Sequence, residues 1–320
     1  MDVAEMPSHQ DNVTRPLEGR KERAKSSLFF VIWCSTMSSE KQVVLLTGAS
    51  RGLGLAIAKI LLRGSQSVPP ARVVTLARSH PAELQSLEKE FPHDLVCVQG
   101  DVTEQGDNQK AVDTAKAQWG RLDSVILNSG ILLFGRLGEQ SAADFFQVQN
   151  VNLLSLHLTL MVALPHLRKA PSGCGKVVFV SSGAAVANSA AWGAYNVSKA
   201  GANALARTLA QEEKGDASQG RAPVAVWAVR PGAVDTEMQA NLRANSAQHV
   251  DSDVHQRFIK LHEEGQLLKP EQPGHVLAAL ALLGTRESPA DGKQAGLGAQ
   301  GAFVNWNAEE LLHGAWQLPA

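Results

Sequence analysis

The sequence predicts an α/β fold, a single doubly wound domain built on a seven-stranded parallel sheet. Three observations carry that expectation. From Lys41 onward, short β-branched runs alternate with longer amphipathic stretches, the pattern of βαβ units whose strands are buried on both faces. A glycine-rich turn lies between the first strand and the first helix, where a nucleotide-binding crossover needs one. No flexible linker and no internal repeat divides the chain.

The strands are expected at QVVLLT (42–47), RVVTLA (72–77), DLVCVQ (94–99), SVILN (124–128), KVVFVS (176–181), VAVWAV (224–229) and GAFVNW (301–306). Helical stretches fall between them at 52–63, 81–91, 103–119, 141–168, 192–214 and 271–283, the last opened by Pro270 and closed by Gly284. Ligands of such a sheet bind at the carboxyl ends of the strands. The amino terminus stands apart. Residues 1–27 are polar and basic, and the apolar run LFFVIWC (28–34) is too short to span a bilayer and lacks a small-residue cleavage site. With Met37 opening MSSEKQVVLLTG, residues 1–40 read as a disordered extension, with a targeting segment or an over-extended gene start as the alternatives for 1–36, and 41–320 as the nucleotide-binding domain.

Composition narrows the partners. The chain is 44% hydrophobic and 19% charged with a formal net charge of −1, so it has no basic field for nucleic acid and no long charged block. A small molecule is the expected partner, with neither nucleic acid nor membrane. Cys34, Cys97 and Cys174 form no CxxC pair, which fits the cytoplasm and argues against a structural zinc site. His249, His255 and His262 have spacings that suit no metal site either, so no metal is expected.

In TGASRGLG (47–54), Gly48, Gly52 and Gly54 permit a tight turn, close approach to a pyrophosphate and close packing of helix on strand. Between Lys41 and Ala82 there is no aspartate or glutamate to bind a ribose 2′-hydroxyl, whereas Arg51 and Arg78 can hold a 2′-phosphate. NADP is therefore expected over NAD. The only tyrosine, Tyr195, lies four residues before Lys199 on one helix face. An ammonium there can lower the phenol pKa from its ordinary value near 10 toward the working range, and in reduction the phenol donates a proton. Ser181 and Ser182 end the fifth strand, where a hydroxyl can bond a carbonyl oxygen. LNSG (127–130) ends the fourth strand, and Asn152 is a polar residue in an otherwise apolar helix.

Together these motifs resemble the short-chain dehydrogenase/reductase family, over Lys41 to Trp306. TGASRGLG resembles its cofactor loop, bringing in Ser50 and Leu53 beside Gly48, Arg51, Gly52 and Gly54. The resemblance adds Arg78, then Asp101 and Val102 as the adenine-contacting pair, and Asn128, Ser129 and Gly130 as the NAG motif with serine for alanine. RPGAVDT (230–236) resembles the segment that closes over the nicotinamide, contributing Pro231, Gly232, Val234 and Thr236. Asn152, Ser182, Tyr195 and Lys199 match the catalytic tetrad, Ser182 being thirteen residues before the tyrosine. The resemblance implies hydride transfer to a carbonyl carbon, with Tyr195 as proton donor and Ser182 polarising the carbonyl. It has Lys199 binding the nicotinamide ribose and lowering the tyrosine pKa, and Asn152 holding a relay water; Tyr195 and Lys199 also contact the cofactor.

Within the family the motifs look most like the sepiapterin reductase branch and its fungal benzil reductase-like members, which implies reduction of a vicinal dicarbonyl with NADPH. Asn305 stands where that branch places a pterin-binding aspartate, which favours an α-diketone over a pterin. A pterin reductase, another alcohol dehydrogenase, a 3-oxoacyl reductase and a non-catalytic NADP sensor are the alternatives. Residues 237–268 are the expected substrate lid, with Val254, Phe258 and Leu261 on one apolar face. Trp192 walls the pocket or fills core. Ala200, Ala202, Ala204 and Ala206 suit either a homodimer interface or close packing on the sheet.

Overall fold

The computed structural model describes residues 40–187, 189–287 and 296–312. The expected extension lies outside them up to residue 39. The strands are β1 (Val43–Thr47), β2 (Arg72–Ala77), β3 (Leu95–Gln99), β4 (Ser124–Leu127), β5 (Gly175–Val180), β6 (Val224–Arg230) and β7 (Ala302–Asn305). All pair in parallel in the order β3-β2-β1-β4-β5-β6-β7, so the sheet is seven-stranded, and each expected strand falls within a residue of its place. The chain runs outward from β1 in one direction and from β4 in the other, which opens a crevice at their carboxyl ends.

The helices are α1 (Gly52–Arg63), α2 (Ala82–Glu90), α3 (Gln105–Trp119), α4 (Ala142–Gln149), α5 (Ser155–Leu167), α6 (Gly193–Glu212), α7 (Glu237–Asn245), α8 (Ser252–Glu263), α9 (Glu271–Leu283) and the short α10 (Leu297–Gln300) and α11 (Glu309–Leu312). They cover both faces. Val44 and Leu46 pack with Ile57 and Leu61 of α1 and Val276 and Leu280 of α9. Val43 and Leu45 face Ala111 and Val112 of α3, Leu160 of α5 and Ala206 of α6. Two-sided burial is why the central strands read as unbroken apolar runs. At the outer edge, the Cys97 N–H of β3 donates to Glu88 Oε1 at 3.1 Å, and His80 lies 3.2 Å from the same carboxylate. Glu88 thereby occupies a strand edge that would otherwise present an unpaired donor.

The helix expected unbroken over 141–168 is interrupted. Between α4 and α5, Asn150–Leu154 form a π-helical turn, a wide turn of the kind that occurs at functional sites, and it holds the fully buried Asn152. Ala142–Leu167 is long and apolar enough to cross a membrane by length and composition. One side of it packs in the domain: Thr159 donates to Asn108 at 2.6 Å, and Leu156, Leu160, Ala163 and Leu167 pack under the sheet, while Phe146, Leu154 and Met161 are exposed.

The start of β4 is tied to β1 by Asp123, which accepts two bonds at 2.7 Å from Arg121 and one at 2.8 Å from the Val43 N–H. The pair is almost fully buried. Arg121→Met should therefore cost about 3–5 kcal/mol, because it strands a buried carboxylate. Urea unfolding of that variant measures the loss.

Candidate active site

The site forms where β4, β5 and the start of α6 meet at the carboxyl edge of the sheet. β5 ends in two serines with different surroundings. Ser181 is buried and donates to Asn203 Oδ1 at 2.6 Å. Ser182 caps a short turn by accepting from the Ala184 N–H at 3.2 Å, and its hydroxyl is hydrogen-bonded to Tyr195. Tyr195 and Lys199, one turn apart on α6, are both buried. Lys199 Nζ donates to the Val180 carbonyl at 2.8 Å and lies 5.7 Å from the centre of the tyrosine ring. Asn152 reaches the same place from the π turn. Its amide accepts from the Ile131 N–H at 2.8 Å and donates to the Ile131 carbonyl at 2.9 Å and to Ser198 Oγ at 3.1 Å. The four tetrad residues are thus assembled from three separate segments, with Gly130 between Asn152 and Lys199: a Cβ there would stand 3.4 Å from the amide and 3.7 Å from Nζ.

The electrostatics differ from the expectation in one respect. Lys199 was expected to lower the tyrosine pKa, but burial pushes the phenol up, and only the Ser182 hydrogen bond pulls it part of the way back. The ammonium is committed to the Val180 carbonyl and lies 5.7 Å from the ring centre, and desolvation of the phenol outweighs the pull of its neighbours. Tyr195 is accordingly held protonated, as a proton donor must be. Burial lowers Lys199 to about 8. Below about pH 8 Lys199 is charged both folded and unfolded, so its burial cost is fully present. Between there and its ordinary 10.5 the folded chain releases the proton first, and stability contributed at this position rises with pH. Lys199→Met should then be more stable than the parent at pH 7, with the advantage shrinking by pH 10. Melting temperatures across that range test the sign.

The glycine loop faces this cluster across the crevice. Gly48 and Gly52 have φ of 71° and 53°, a region that side-chain-bearing residues avoid. At Gly54 a Cβ would lie 2.1 Å from the Gly48 carbonyl oxygen. The start of α1 carries no side-chain cap, so its first N–H groups are free for an anion. These features fit a dinucleotide pyrophosphate. Ser50 and Leu53 flank the turn. Arg51, at the cap position, is exposed and pairs with Glu237 at the start of α7, and Arg78 is exposed just past β2. Asp101 holds Thr103 through N–H and hydroxyl bonds of 3.0 and 2.9 Å, beside the buried Val102. Past β6 come Pro231, Gly232, Val234, which bridges to Leu268, and Thr236, the cap of α7, whose methyl approaches Gly52.

Asn128, expected at the cofactor, uses its side-chain amide on the Thr47 and Gly48 carbonyls, both at 3.0 Å. Thr47, missed by the sequence reading, accepts in turn from the Asn128 and Ser129 N–H groups at 3.0 and 3.1 Å. The pair locks the glycine loop to the end of β4. Ser198 was also missed. It bridges Asn152 and the Tyr195 carbonyl, and its position one turn past Tyr195 on the buried face was the only available signal.

Beside Tyr195 lies an apolar cluster. Trp192 meets the tyrosine edge-on with ring centres 5.9 Å apart, and stacks on Phe258 of α8 at the same distance. Phe134, from the loop after β4, touches Trp192 and stacks on His249. Leu132, Leu242, Val250 and Val254 complete the cluster. Of the expected apolar face, Val254 and Phe258 reach the tyrosine's cluster, whereas Leu261 is not part of it. His255 bonds Ser246 at 2.9 Å. Asn305 is exposed at the end of β7, in register with Arg230. Of the four alanines, Ala202 and Ala206 pack beneath the sheet, while Ala200 and Ala204 are exposed.

Residues 42–247 match the short chain dehydrogenase family model. An uncharacterised oxidoreductase of Schizosaccharomyces pombe is 37% identical over 270 residues, covering 84% of this chain and 97% of that one. A benzil reductase ((S)-benzoin forming) of Saccharomyces cerevisiae is 31% identical over 277 residues, with coverage of 84% and 97%. The crystal structure of a short chain dehydrogenase/reductase of the same yeast superposes with a TM-score of 0.73 at 33% identity, covering 84% and 98%. Fold and family together indicate an NAD(P)-dependent oxidoreductase. With its doubly wound sheet, glycine cradle and buried tyrosine–lysine pair, the chain belongs to the short-chain dehydrogenase family.

Proposed function

We propose that this chain is an NADPH-dependent carbonyl reductase whose substrates are α-diketones of the benzil type. The observation that carries the reading is Tyr195: buried, held protonated, bonded to Ser182 and facing an aromatic lining. Bound NADPH supplies the hydride. The chain's own residues do the rest. Ser182 and Tyr195 direct their hydroxyls at one carbonyl oxygen, and as negative charge gathers there Tyr195 gives up its proton. Lys199, charged below about pH 8, offsets the charge left on the phenolate and is placed to hold the nicotinamide ribose. Asn152 and Ser198 keep the π turn and α6 in register. The lid, residues 237–268, excludes water. Phe134, Trp192 and Phe258 favour flat aromatic substrates, and the relative named for benzil reduction supports that class. The neutral Asn305 argues against a pterin.

The assay is NADPH oxidation against benzil, smaller α-diketones, sepiapterin and a 3-oxoacyl thioester. Benzil should give the highest kcat/KM, and faster turnover of sepiapterin would overturn the substrate class. For the cofactor, the double variant Arg51→Ala/Arg78→Ala should weaken NADPH binding by about tenfold or more, the loss of charge-assisted bonds to a phosphate, and leave NADH binding within about twofold. Nicotinamide fluorescence reads both constants.

A further inference from the structure

Trp192 has a buried indole N–H with no hydrogen-bond partner, in a side chain only 9% exposed. A buried donor left empty is costly, because it has given up water without gaining a partner. Several buried polar atoms among the described residues share that condition, but Trp192 is the one whose ring lies against Tyr195. Its placement is itself held under strain. Ala191, immediately before it, has φ of 62°, the only non-glycine residue in the left-handed region among those described. Such a conformation is strained and persists only where its surroundings impose it. Here they do: the Gly135 N–H donates to the Ala191 carbonyl at 3.0 Å, Gly135 bridges to Trp192, and the Trp192 carbonyl accepts the Asn196 N–H at 2.8 Å as α6 begins. Phe258 and Phe134 then fix the ring plane.

We infer that the Trp192 Nε1–H is the receptor for the second carbonyl oxygen of a vicinal dicarbonyl whose first oxygen lies at Tyr195 and Ser182. This rests on the carbonyl-reductase reading above and adds the residue that reads the substrate class. The indole ring meets the tyrosine ring edge-on with centres 5.9 Å apart, so the orphan donor belongs to the side chain packed against the proton donor. A simple ketone leaves the indole donor unsatisfied; a diketone fills it and is turned so that one carbonyl faces the tyrosine. In the reaction the hydride of NADPH bonds to that carbonyl carbon, its π pair moves to oxygen, and the oxygen takes the Tyr195 proton. The carbonyl held by Trp192 stays a ketone, so the product is an α-hydroxy ketone.

The test compares benzil with deoxybenzoin, which has the same two phenyl groups but one carbonyl. Trp192→Phe keeps an aromatic wall and removes the donor. The ratio of kcat/KM for benzil to that for deoxybenzoin should fall about tenfold in the variant. An unchanged ratio overturns the inference and leaves the reductase reading standing, whereas a parent enzyme inactive on both ketones overturns the reading and the inference with it. Should the variant fail to fold, the parent protein labelled with 15N at its indole nitrogens decides. With NADP bound, benzil should shift the Trp192 indole N–H resonance downfield and deoxybenzoin should not. Equal shifts with both ketones count against the inference.

Discussion

Tyr195→Phe should lower kcat for benzil reduction by about 10²–10⁴-fold, the range general acid catalysis supplies. The substitution removes one oxygen and keeps the ring that packs on Trp192, so the fold should remain, and a thermal melt close to the parent's would show it. The loss follows from the surroundings of the phenol. Burial keeps its proton on at neutral pH, and Ser182, its hydrogen-bond partner, has no comparable proton to give. Ser182→Ala should consequently cost less, since it removes polarisation and leaves the donor. Turnover of Tyr195→Phe within about twofold of the parent would refute the mechanism. Lys199 sets the alkaline limit: with its pKa at about 8, kcat/KM should decline above that pH as its charge is lost.

Gly54→Ala should damage cofactor binding and stability together. The added methyl would stand 2.1 Å from the Gly48 carbonyl oxygen and 2.6 Å from the Asn128 amide. Neither is the free end of a flexible chain: one is backbone in the glycine turn, and the other is the clamp joining that turn to β4. Relief therefore requires α1 to move away from β1, which opens the cradle. Overpacking of this kind costs about 1–3 kcal/mol, and the distorted helix start should weaken NADPH binding by about tenfold or more. Gly106→Ala is the matched control. Nothing lies within 4 Å of its added methyl, and alanine suits a helix better than glycine by about 1 kcal/mol, so it should be neutral or slightly stabilising. Calorimetry and fluorescence titration of the two variants separate steric damage from a general sensitivity to lost glycines.

Much of this molecule is legible in its sequence because the determinants are local or periodic. Strand runs buried on both faces cannot alternate, so QVVLLT and VAVWAV announce themselves, and a glycine turn between strand and helix has few other uses. Tyr195 and Lys199 are legible because one helix turn joins them. What sequence spacing conceals is everything set by meeting across segments. The break at Asn150–Leu154 is invisible in an apolar run that satisfies helical periodicity throughout; it exists because Asn152 must reach Ile131 and Ser198. The clamp of Thr47 on Asn128, 81 residues away, has no signature in either place. Nor does the stack of Phe134 on His249.

The sequence by itself therefore determined the α/β class, the strand and helix order, the glycine cradle and the residue types able to do the chemistry. Only the tertiary structure decided how those groups behave. It directed Ser181 to Asn203 and Ser182 to Tyr195, committed the Lys199 ammonium to the Val180 carbonyl, and raised the phenol pKa where a lowering was expected. The physical reason is common to all of these. Desolvation and hydrogen-bond partnership depend on which distant groups arrive at a site, and helical or strand spacing carries no information about them.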